Sequence, residues 1–366
     1  MTLSETLQRT FQGRRVLITG HTGFKGSWLA LWLTKLGAKV IGYSLPPPTE
    51  PSLFEICALK DKILSITGDV RDFETLKTTL LTRQPEVVFH LAAQSLVRQS
   101  YRDPLETYQT NVMGTVNTLE ACRQAPSVKT IINVTSDKCY DPQPGSKGYC
   151  ETDPLGGDDP YSSSKACAEL VTQAYLRSFL GPEKHAHHGK SLASVRAGNV
   201  IGGGDWGADR LVPDCLRAFT SRQPVLIRYP EAIRPWQHVL EPLCGYMLLA
   251  RDLMENCSAS AGAWNFGPDE DSFRPVGWLV QKMASLWGNG ASWQADHETH
   301  PHEGLQLKLD SSKARSLLGW SPRWSLEPAL EKTIEWYKSY YKGKPMVPIT
   351  IHHIEAYEEG LEGRTP

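Results

Sequence analysis

The chain has 366 residues, 40% hydrophobic and 22% charged, with a formal net charge of −1. That length suits two lobes, or one α/β domain with a large insertion, and the balanced charge argues against a broad nucleic-acid-binding face. Eight cysteines (Cys57, Cys122, Cys139, Cys150, Cys167, Cys215, Cys244 and Cys257) show no C-x-x-C spacing and read as reduced, mostly buried thiols. Residues 1–13 are polar and lack the apolar run of a secretion signal. The greasiest stretch, 28–33, is bracketed by Lys25 and Lys35 well short of a membrane span. A cytosolic protein is expected, with no membrane or nucleic acid as partner.

In chain order, residues 15–19 are a β-branched and aliphatic run, followed at once by Gly20-His21-Thr22-Gly23-Phe24-Lys25-Gly26 and then an apolar stretch at 27–36. That reads as strand, turn, helix. Residues 38–43 predict a second strand, stopped by Pro46-Pro47-Pro48, and 63–67 a third, ending at Gly68-Asp69. Asp72 is placed to cap a helix over 72–82, with Phe73, Leu76 and Leu80 along one face. Strands at 86–91 and 130–135 flank helical spacing at 105–124. A helix at 161–179 and a sixth strand at 191–197 follow.

Apolar strands alternating with helices predict an α/β fold, a Rossmann-like doubly wound parallel sheet whose ligands sit at the carboxyl ends of the strands. Residues 1–198 are assigned to this dinucleotide-binding domain, with a segment near 236–268 as a candidate to return to it. Beyond Asn199, prolines at 213, 224, 230, 235 and 242 interrupt every element, and helices are predicted at 240–254, 275–287 and 326–341. Residues 199–348 are assigned mainly to a smaller substrate-binding lobe packed by most of the later tryptophans, and 349–366 to a polar, partly mobile tail.

Glycine at 20, 23 and 26 lets the backbone turn tightly, approach a pyrophosphate and pack helix on strand, while the new helix offers unpaired N–H groups to phosphate. The spacing is G-x-x-G-x-x-G. It carries weight because it follows a strand and opens a helix. His21 has two readings: a bulky group pressing on the pyrophosphate and weakening cofactor retention, or a solvent-facing turn residue. The second strand supplies neither a carboxylate for the adenosine ribose nor an arginine for a 2′-phosphate, so it leaves NAD and NADP open. Asp69-Val70 falls where the adenine edge is expected.

Tyr161 and Lys165 are four residues apart and share one helix face. A free phenol, with a pKa of ~10, is a poor base at neutral pH. A nearby ammonium and an oxidised nicotinamide both favour phenolate. Y-x-x-x-K alone is common on amphipathic helices; the upstream glycine turn is what makes the pair a candidate redox site. Ser136, Asp137 and Lys138 follow the fifth strand at the sheet's mouth, where Ser136 is placed to bond the hydroxyl that Tyr161 deprotonates. Asp137 adds a second acid or base, or else caps the turn before Tyr140-Asp141-Pro142.

Thr19 to Gly26, His90-Leu91-Ala92-Ala93-Gln94, Asn111-Val112-Met113-Gly114-Thr115, Thr135 to Tyr140 and Tyr161 to Lys165 resemble the extended short-chain dehydrogenase/reductase family. Arg196 to Trp206, with its Gly202-Gly203-Gly204-Asp205-Trp206 loop, and Arg234-Pro235-Trp236-Gln237-His238-Val239 resemble the nucleotide-sugar 4,6-dehydratases within it. The resemblance covers almost the whole chain. It implies NAD as cofactor, a nucleotide-sugar substrate (CDP-glucose best matches the Ser-Asp-Lys and Gly-Gly-Gly-Asp-Trp combination) and a homodimer or dimer of dimers through the helices at 105–124 and 161–179.

The implied reaction is redox-neutral. Tyr161, with Lys165 and Ser136, deprotonates the C4 hydroxyl as hydride leaves C4 for NAD. The ketone acidifies C5, water leaves across C5 and C6 with Asp137 as acid, and the hydride returns to C6. Many relatives carry a glutamate after this aspartate to take the C5 proton; Lys138 stands there instead. By position, the resemblance places Leu91, Ala92 and Ala93 against the cofactor, and Gln94 and Ser95 by the nicotinamide and sugar. Asn199, Arg210, Arg234 and Glu303 are placed on the nucleotide-sugar diphosphate or nucleotide.

Two histidine groups, Glu183 with His185, His187 and His188, and His297 with His300 and His302, are not read as metal sites, since neither offers an i, i+4 pair on a credible helix. A 4-epimerase of the same fold is the nearest rival, but epimerisation needs no acid at C6. A non-catalytic dinucleotide sensor is the rival from another class, and it needs no proton acceptor at 161.

Overall fold

The computed structural model describes residues 1–142, 148–256, 260–296 and 308–360. Its centre is a seven-stranded sheet built from β1 (Arg15–Thr19), β2 (Lys39–Ser44), β3 (Leu64–Thr67), β4 (Val87–His90), β5 (Thr130–Val134), β6 (Ser191–Ala197) and the strand Gly262–Phe266. From one edge to the other the order is Gly262–Phe266, β6, β5, β4, β1, β2, β3, and every pairing is parallel. Chain order reverses between β1 and β4. That switch point opens a crevice at the carboxyl ends of those strands. β4 and β5 are buried throughout, as strands covered by helices on both faces must be.

Gly262–Phe266 joins the sheet beside β6, in register Gly262 to Ala193 and Phe266 to Ala197, so the chain returns from its later half to complete the sheet. The remainder forms two small sheets. One orders Phe273–Pro275, Ile233–His238 and Asn199–Ile201; the other pairs Trp293–Ala295 with Val225–Ile227.

Three elements differ from the sequence reading. Residues 105–124 are not one helix: Pro104–Tyr108 is followed by a π-helical turn, Gln109–Met113, and then Gly114–Gln124. Residues 2–11 contain a helix, Leu3–Phe11, whose Thr2 and Glu5 form a capping box and whose Leu7 and Phe11 are buried. The expected polar tail is largely a helix, Met346–Glu359, that buries Ile354 and Tyr357. Its Glu358 accepts from Trp32 Nε1 at 2.7 Å and from Lys35 Nζ at 2.6 Å.

The tryptophans do not divide the molecule as expected either. Trp28 and Trp32 from the helix Phe24–Lys35, Trp264 from the sheet, and Trp320, Trp324 and Trp336 from the later chain share one buried core.

Candidate active site

Candidate cofactor crevice. β1 delivers the glycine turn to the switch point. Gly20 has φ +75°, and a Cβ there would stand 2.8 Å from the main-chain nitrogen of Ala92. A Cβ on Gly26 would lie 2.1 Å from the Gly20 carbonyl oxygen, so helix and turn touch only because both are glycine. Gly23 is the N-cap of the helix Phe24–Lys35 and provides no capping side chain, and no acidic residue occupies that helix's first turn. Its first N–H groups therefore face outward as donors, which suits a pyrophosphate. Leu91 and Ala92 lie beside the turn because their N–H groups donate to Thr19 Oγ1 at 3.1 and 3.2 Å.

His21 matches neither of its two readings. Its ring is fully buried, with Nε2 2.8 Å from Ser65 Oγ and its plane edge-on to Phe54 at 5.3 Å. Gly42 makes the room: a Cβ there would be 2.3 Å from the ring. Burial lowers its pKa to about 4, so it is neutral near pH 7. The expected contact between this ring and the pyrophosphate therefore has no basis in its packing. At the adenosine end, Asp69 is paired with Arg71 Nη2 at 2.6 Å, and that bond holds its carboxyl below the ordinary range. Asn117 Nδ2 donates to the Val70 carbonyl at 2.9 Å, and Thr22 Oγ1 lies 2.9 Å from Ser44 Oγ.

Candidate catalytic cluster. The helix Pro160–Ser178 begins with Asp159 as N-cap, accepting from Ser162 N at 3.0 Å, and with proline at its first position. Tyr161 and Lys165 sit on its buried face. Opposite them, β5 ends at Val134, and Ser136 and Asp137 are both buried, with Ser136 Oγ donating to Asp137 Oδ1 at 3.0 Å. The Lys138 N–H donates back to Ser136 Oγ at 3.2 Å.

Burial raises the Tyr161 phenol to about 12; a hydrogen bond with Ser136 and the nearby Arg210 charge oppose that rise, and Asp137 adds to it. Lys165, by contrast, is lowered to about 8 by burial, with Nζ 3.4 Å from the Val134 carbonyl. The protein's own groups thus leave Tyr161 a weaker acid than a free phenol; the expected lowering counted the ammonium together with an oxidised nicotinamide. Burial also raises the Asp137 carboxyl, against the pull of Lys138, Ser136 and Lys25. An aspartate so placed holds a proton to higher pH than usual, the property a general acid needs.

Lys25 was expected only in the phosphate turn. Its charge nevertheless interacts with Asp137, Lys165 and Arg210, and burial lowers it to about 8. Arg210 is held by both oxygens of Asp205, at 3.1 and 3.0 Å, and donates to Ser95 Oγ at 3.0 Å. The Gly-Gly-Gly-Asp-Trp loop that supplies Asp205 is fixed by packing: Trp28 Nε1 donates to the Gly203 carbonyl at 2.9 Å, and the Asp205 N–H donates to Tyr337 Oη at 2.8 Å.

Gln94 uses its amide within its own loop. Its amide nitrogen donates to Leu96 O and Thr107 Oγ1 at 3.1 and 2.9 Å, and its amide oxygen accepts from Leu96 N at 2.6 Å, so the side chain folds the loop after β4. Asn199 is half-buried at the start of a short strand paired with Ile233–His238, and Arg234, also half-buried, lies on that partner strand. Glu303, His297, His300 and His302 lie outside the described residues. Among the described residues no group of three His, Cys, Asp or Glu side chains is placed to hold a metal, and His188 Nε2 lies 3.0 Å from the Gly181 carbonyl oxygen. The seven described cysteines are all free thiols, and none of the helices described is long and apolar enough to cross a membrane.

Sequence reasoning missed Asn111. From the π-helical turn its Nδ2 donates to Gln94 O and to Ser164 Oγ, both at 2.9 Å, and its Oδ1 accepts from Gln94 N at 2.9 Å. It ties the loop after β4 to the helix of Tyr161. The only signal in the sequence was the Asn-x-x-Gly-Thr run.

Crevice, phenol, hydroxyl and buried acid together define a nucleotide-dependent oxidoreductase-type site with added proton chemistry. The family model described as GDP-mannose 4,6 dehydratase matches residues 17–182. CDP-glucose 4,6-dehydratase of Salmonella typhimurium is 54% identical over 347 residues, spanning 95% of this chain and 97% of that protein. The chain belongs to this family of nucleotide-sugar 4,6-dehydratases. Among solved structures, the dTDP-glucose 4,6-dehydratase of Bacillus anthracis in complex with NAD shares the fold at TM-score 0.73 and 20% identity, covering 92% of this chain and 100% of that one. MoeE5 in complex with UDP-glucose and NAD aligns at TM-score 0.74 and 26% identity, over 89% of this chain and 99% of that one.

Proposed function

We propose that the protein is an NAD-dependent CDP-glucose 4,6-dehydratase, a hydro-lyase that converts CDP-glucose to CDP-4-keto-6-deoxyglucose. The observation that carries this reading is the buried Asp137 beside Ser136 and Tyr161, an acid for which a 4-epimerase has no use. The 54% identity to the Salmonella enzyme, along nearly the whole of both chains, supports the cytidine nucleotide and the glucose.

In this reading Tyr161 takes the C4 hydroxyl proton while Ser136 holds the same oxygen. NAD, when bound against the glycine turn, supplies the oxidant for C4 and the reductant for C6. Asp137 protonates the departing C6 hydroxyl, for which its raised pKa suits it. Lys138 stands where many relatives carry the glutamate that takes the C5 proton, and only its neutral amine form can accept that proton. Arg210, Arg234 and Asn199 bind the diphosphate and Glu303 contacts the nucleotide; Arg210 is already oriented by Asp205. Gln94 supports this loop and does not touch the sugar.

Residues 1–198, with the strand Gly262–Phe266, form the cofactor domain, and most of 199–348 the nucleotide-sugar lobe. The enzyme is cytoplasmic, and its product feeds deoxysugar synthesis of the kind used for lipopolysaccharide O-antigens. It assembles as a homodimer, or a dimer of dimers, through the segments 105–124 and 161–179, which expose Leu105, Met113 and Leu170, Leu105 being 67% accessible.

Incubation with CDP-, dTDP-, GDP- and UDP-glucose, followed by 4-keto sugar absorbance in alkali, tests the assignment. Product from the cytidine substrate is expected; no product from any of them defeats the dehydratase reading.

A further inference from the structure

Four residues beyond Lys165 on the same helix, Glu169 is completely buried and so is its partner Arg196. Its carboxylate accepts three bonds. Thr135 Oγ1 donates to Oε1 at 2.5 Å, while Ser194 Oγ and Arg196 Nη2 donate to Oε2 at 2.7 and 2.8 Å. Thr135 directly precedes Ser136 and Asp137. Arg196 continues the link: Nη1 donates to Tyr140 Oη at 2.7 Å, and Tyr140 donates to Asn265 Oδ1 at 2.8 Å. One ion pair thus holds both ends of the segment from Thr135 to Tyr140 against the helix of Tyr161 and Lys165.

A buried ion pair is a poor way to gain stability, because desolvation offsets most of the attraction and an apolar replacement is often as stable. Its place between the two halves of the site therefore points to function. We propose that Glu169 is a positioning residue of this active site: it sets the spacing between the helix face of Tyr161 and Lys165 and the strand end of Ser136 and Asp137, and it keeps the Lys165 ammonium charged. The inference deepens the dehydratase reading and rests on it for its kinetic test.

Lys165 is faced by Cys139 from the turn after β5, by Glu169 on its own helix, by Lys25 from the glycine turn and by His90 from β4. Burial lowers Lys165, and Cys139 and then Glu169 oppose that fall. Loss of the carboxylate leaves Arg196 unpaired nearby, so the Lys165 pKa drops further and its charge is lost at lower pH.

The test is kcat against pH for wild type, Glu169→Gln and Thr135→Val, with the Lys165 Nζ titration followed independently by 15N NMR. For Glu169→Gln the alkaline limb and the Lys165 midpoint move down together by about 1 pH unit, with plateau kcat lowered at least ~10-fold. Thr135→Val, which removes a bond and no charge, lowers kcat and leaves the limb in place. A folded Glu169→Gln protein whose Lys165 midpoint and limb coincide with wild type overturns the inference. Should Glu169→Gln fail to fold, Glu169→Asp retains the charge with a shorter reach; it is expected to keep the midpoint and lose kcat, and wild-type kcat overturns the proposal. An inactive wild type defeats the dehydratase reading instead, and the NMR midpoints still decide the electrostatic claim.

Discussion

Arg210 and Asp205 form an ion pair in which one guanidinium nitrogen, Nη1, reaches both carboxylate oxygens at 3.1 and 3.0 Å, while Nη2 donates to Ser95 Oγ at 3.0 Å. The pair joins the glycine-rich loop of the later chain to the loop after β4. It also sets the guanidinium near Tyr161, whose phenol feels its charge. A planar cation oriented before a ligand arrives loses less freedom on binding a diphosphate.

Removing that cation is expected to act on binding. Arg210→Ala raises KM for the nucleotide sugar by ~10- to 100-fold, the effect of a charge-assisted hydrogen bond of about 1.5–3 kcal/mol, and changes kcat only a few-fold. Asp205→Asn has a smaller effect in the same direction, because the guanidinium remains but loses its orientation. Steady-state kinetics of both variants separate the two contributions.

Tyr161→Phe removes the proton acceptor and keeps the ring. Turnover falls by ~10³-fold or more, while cofactor binding and melting temperature stay close to wild type. Ser136→Ala retains the phenol and is expected to lose less, about 10²-fold. Full turnover in the phenylalanine variant contradicts the assignment.

Asp137→Asn separates oxidation from dehydration. The first step needs Tyr161 and not this acid, so mixing the variant with substrate and NAD should accumulate reduced nicotinamide without 4-keto-6-deoxy product. Absorbance of the reduced cofactor in a single turnover is the readout.

The same variant has a stability signature. Burial raises the folded-state pKa of Asp137 above its unfolded value, so its contribution to stability is fully present below the unfolded pKa and declines as pH rises through the folded one. Asn has no such loss. Asp137→Asn should therefore melt higher than wild type at neutral pH, and the gap should close as pH falls toward 4, about the ordinary aspartate pKa.

The helix Met346–Glu359 belongs to the core. Tyr357 packs edge-on to Trp32 and Trp324 at 5.6 and 5.3 Å and donates to buried Glu241 at 2.7 Å. Tyr357→Ala is expected to destabilise the protein by about 3–5 kcal/mol, from the cavity and from a carboxylate left short of a donor. Burial already raises Glu241 to about 7, against the pull of that bond. Denaturant unfolding measures the loss.

What the sequence made legible was local or periodic. The strand–glycine–helix unit at 15–36 and the Tyr161 helix follow from short-range pattern, and the structure places them as expected. The bonds of the Gln94 amide to Leu96 and Thr107 are a matter of loop geometry that residue type does not reveal. His21 was misplaced because the pocket for its ring is made by Gly42, in a different strand. Glu169 was invisible for a related reason: its partners Thr135, just past the end of β5, and Ser194 and Arg196, in β6, are brought together only by the pairing of those strands. The helix at 346–359 belongs to the core because Trp32 and Trp324, distant in sequence, pack on Tyr357.

The central claim is that a single hexose is oxidised at C4, dehydrated, and reduced at C6 within one active site. CDP-glucose carrying deuterium at C4, incubated with the enzyme and unlabelled NAD, tests it directly by NMR of the product. Deuterium at C6 of CDP-4-keto-6-deoxyglucose is the predicted result. Label retained at C4 of an epimerised sugar, or exchanged into solvent, would contradict it.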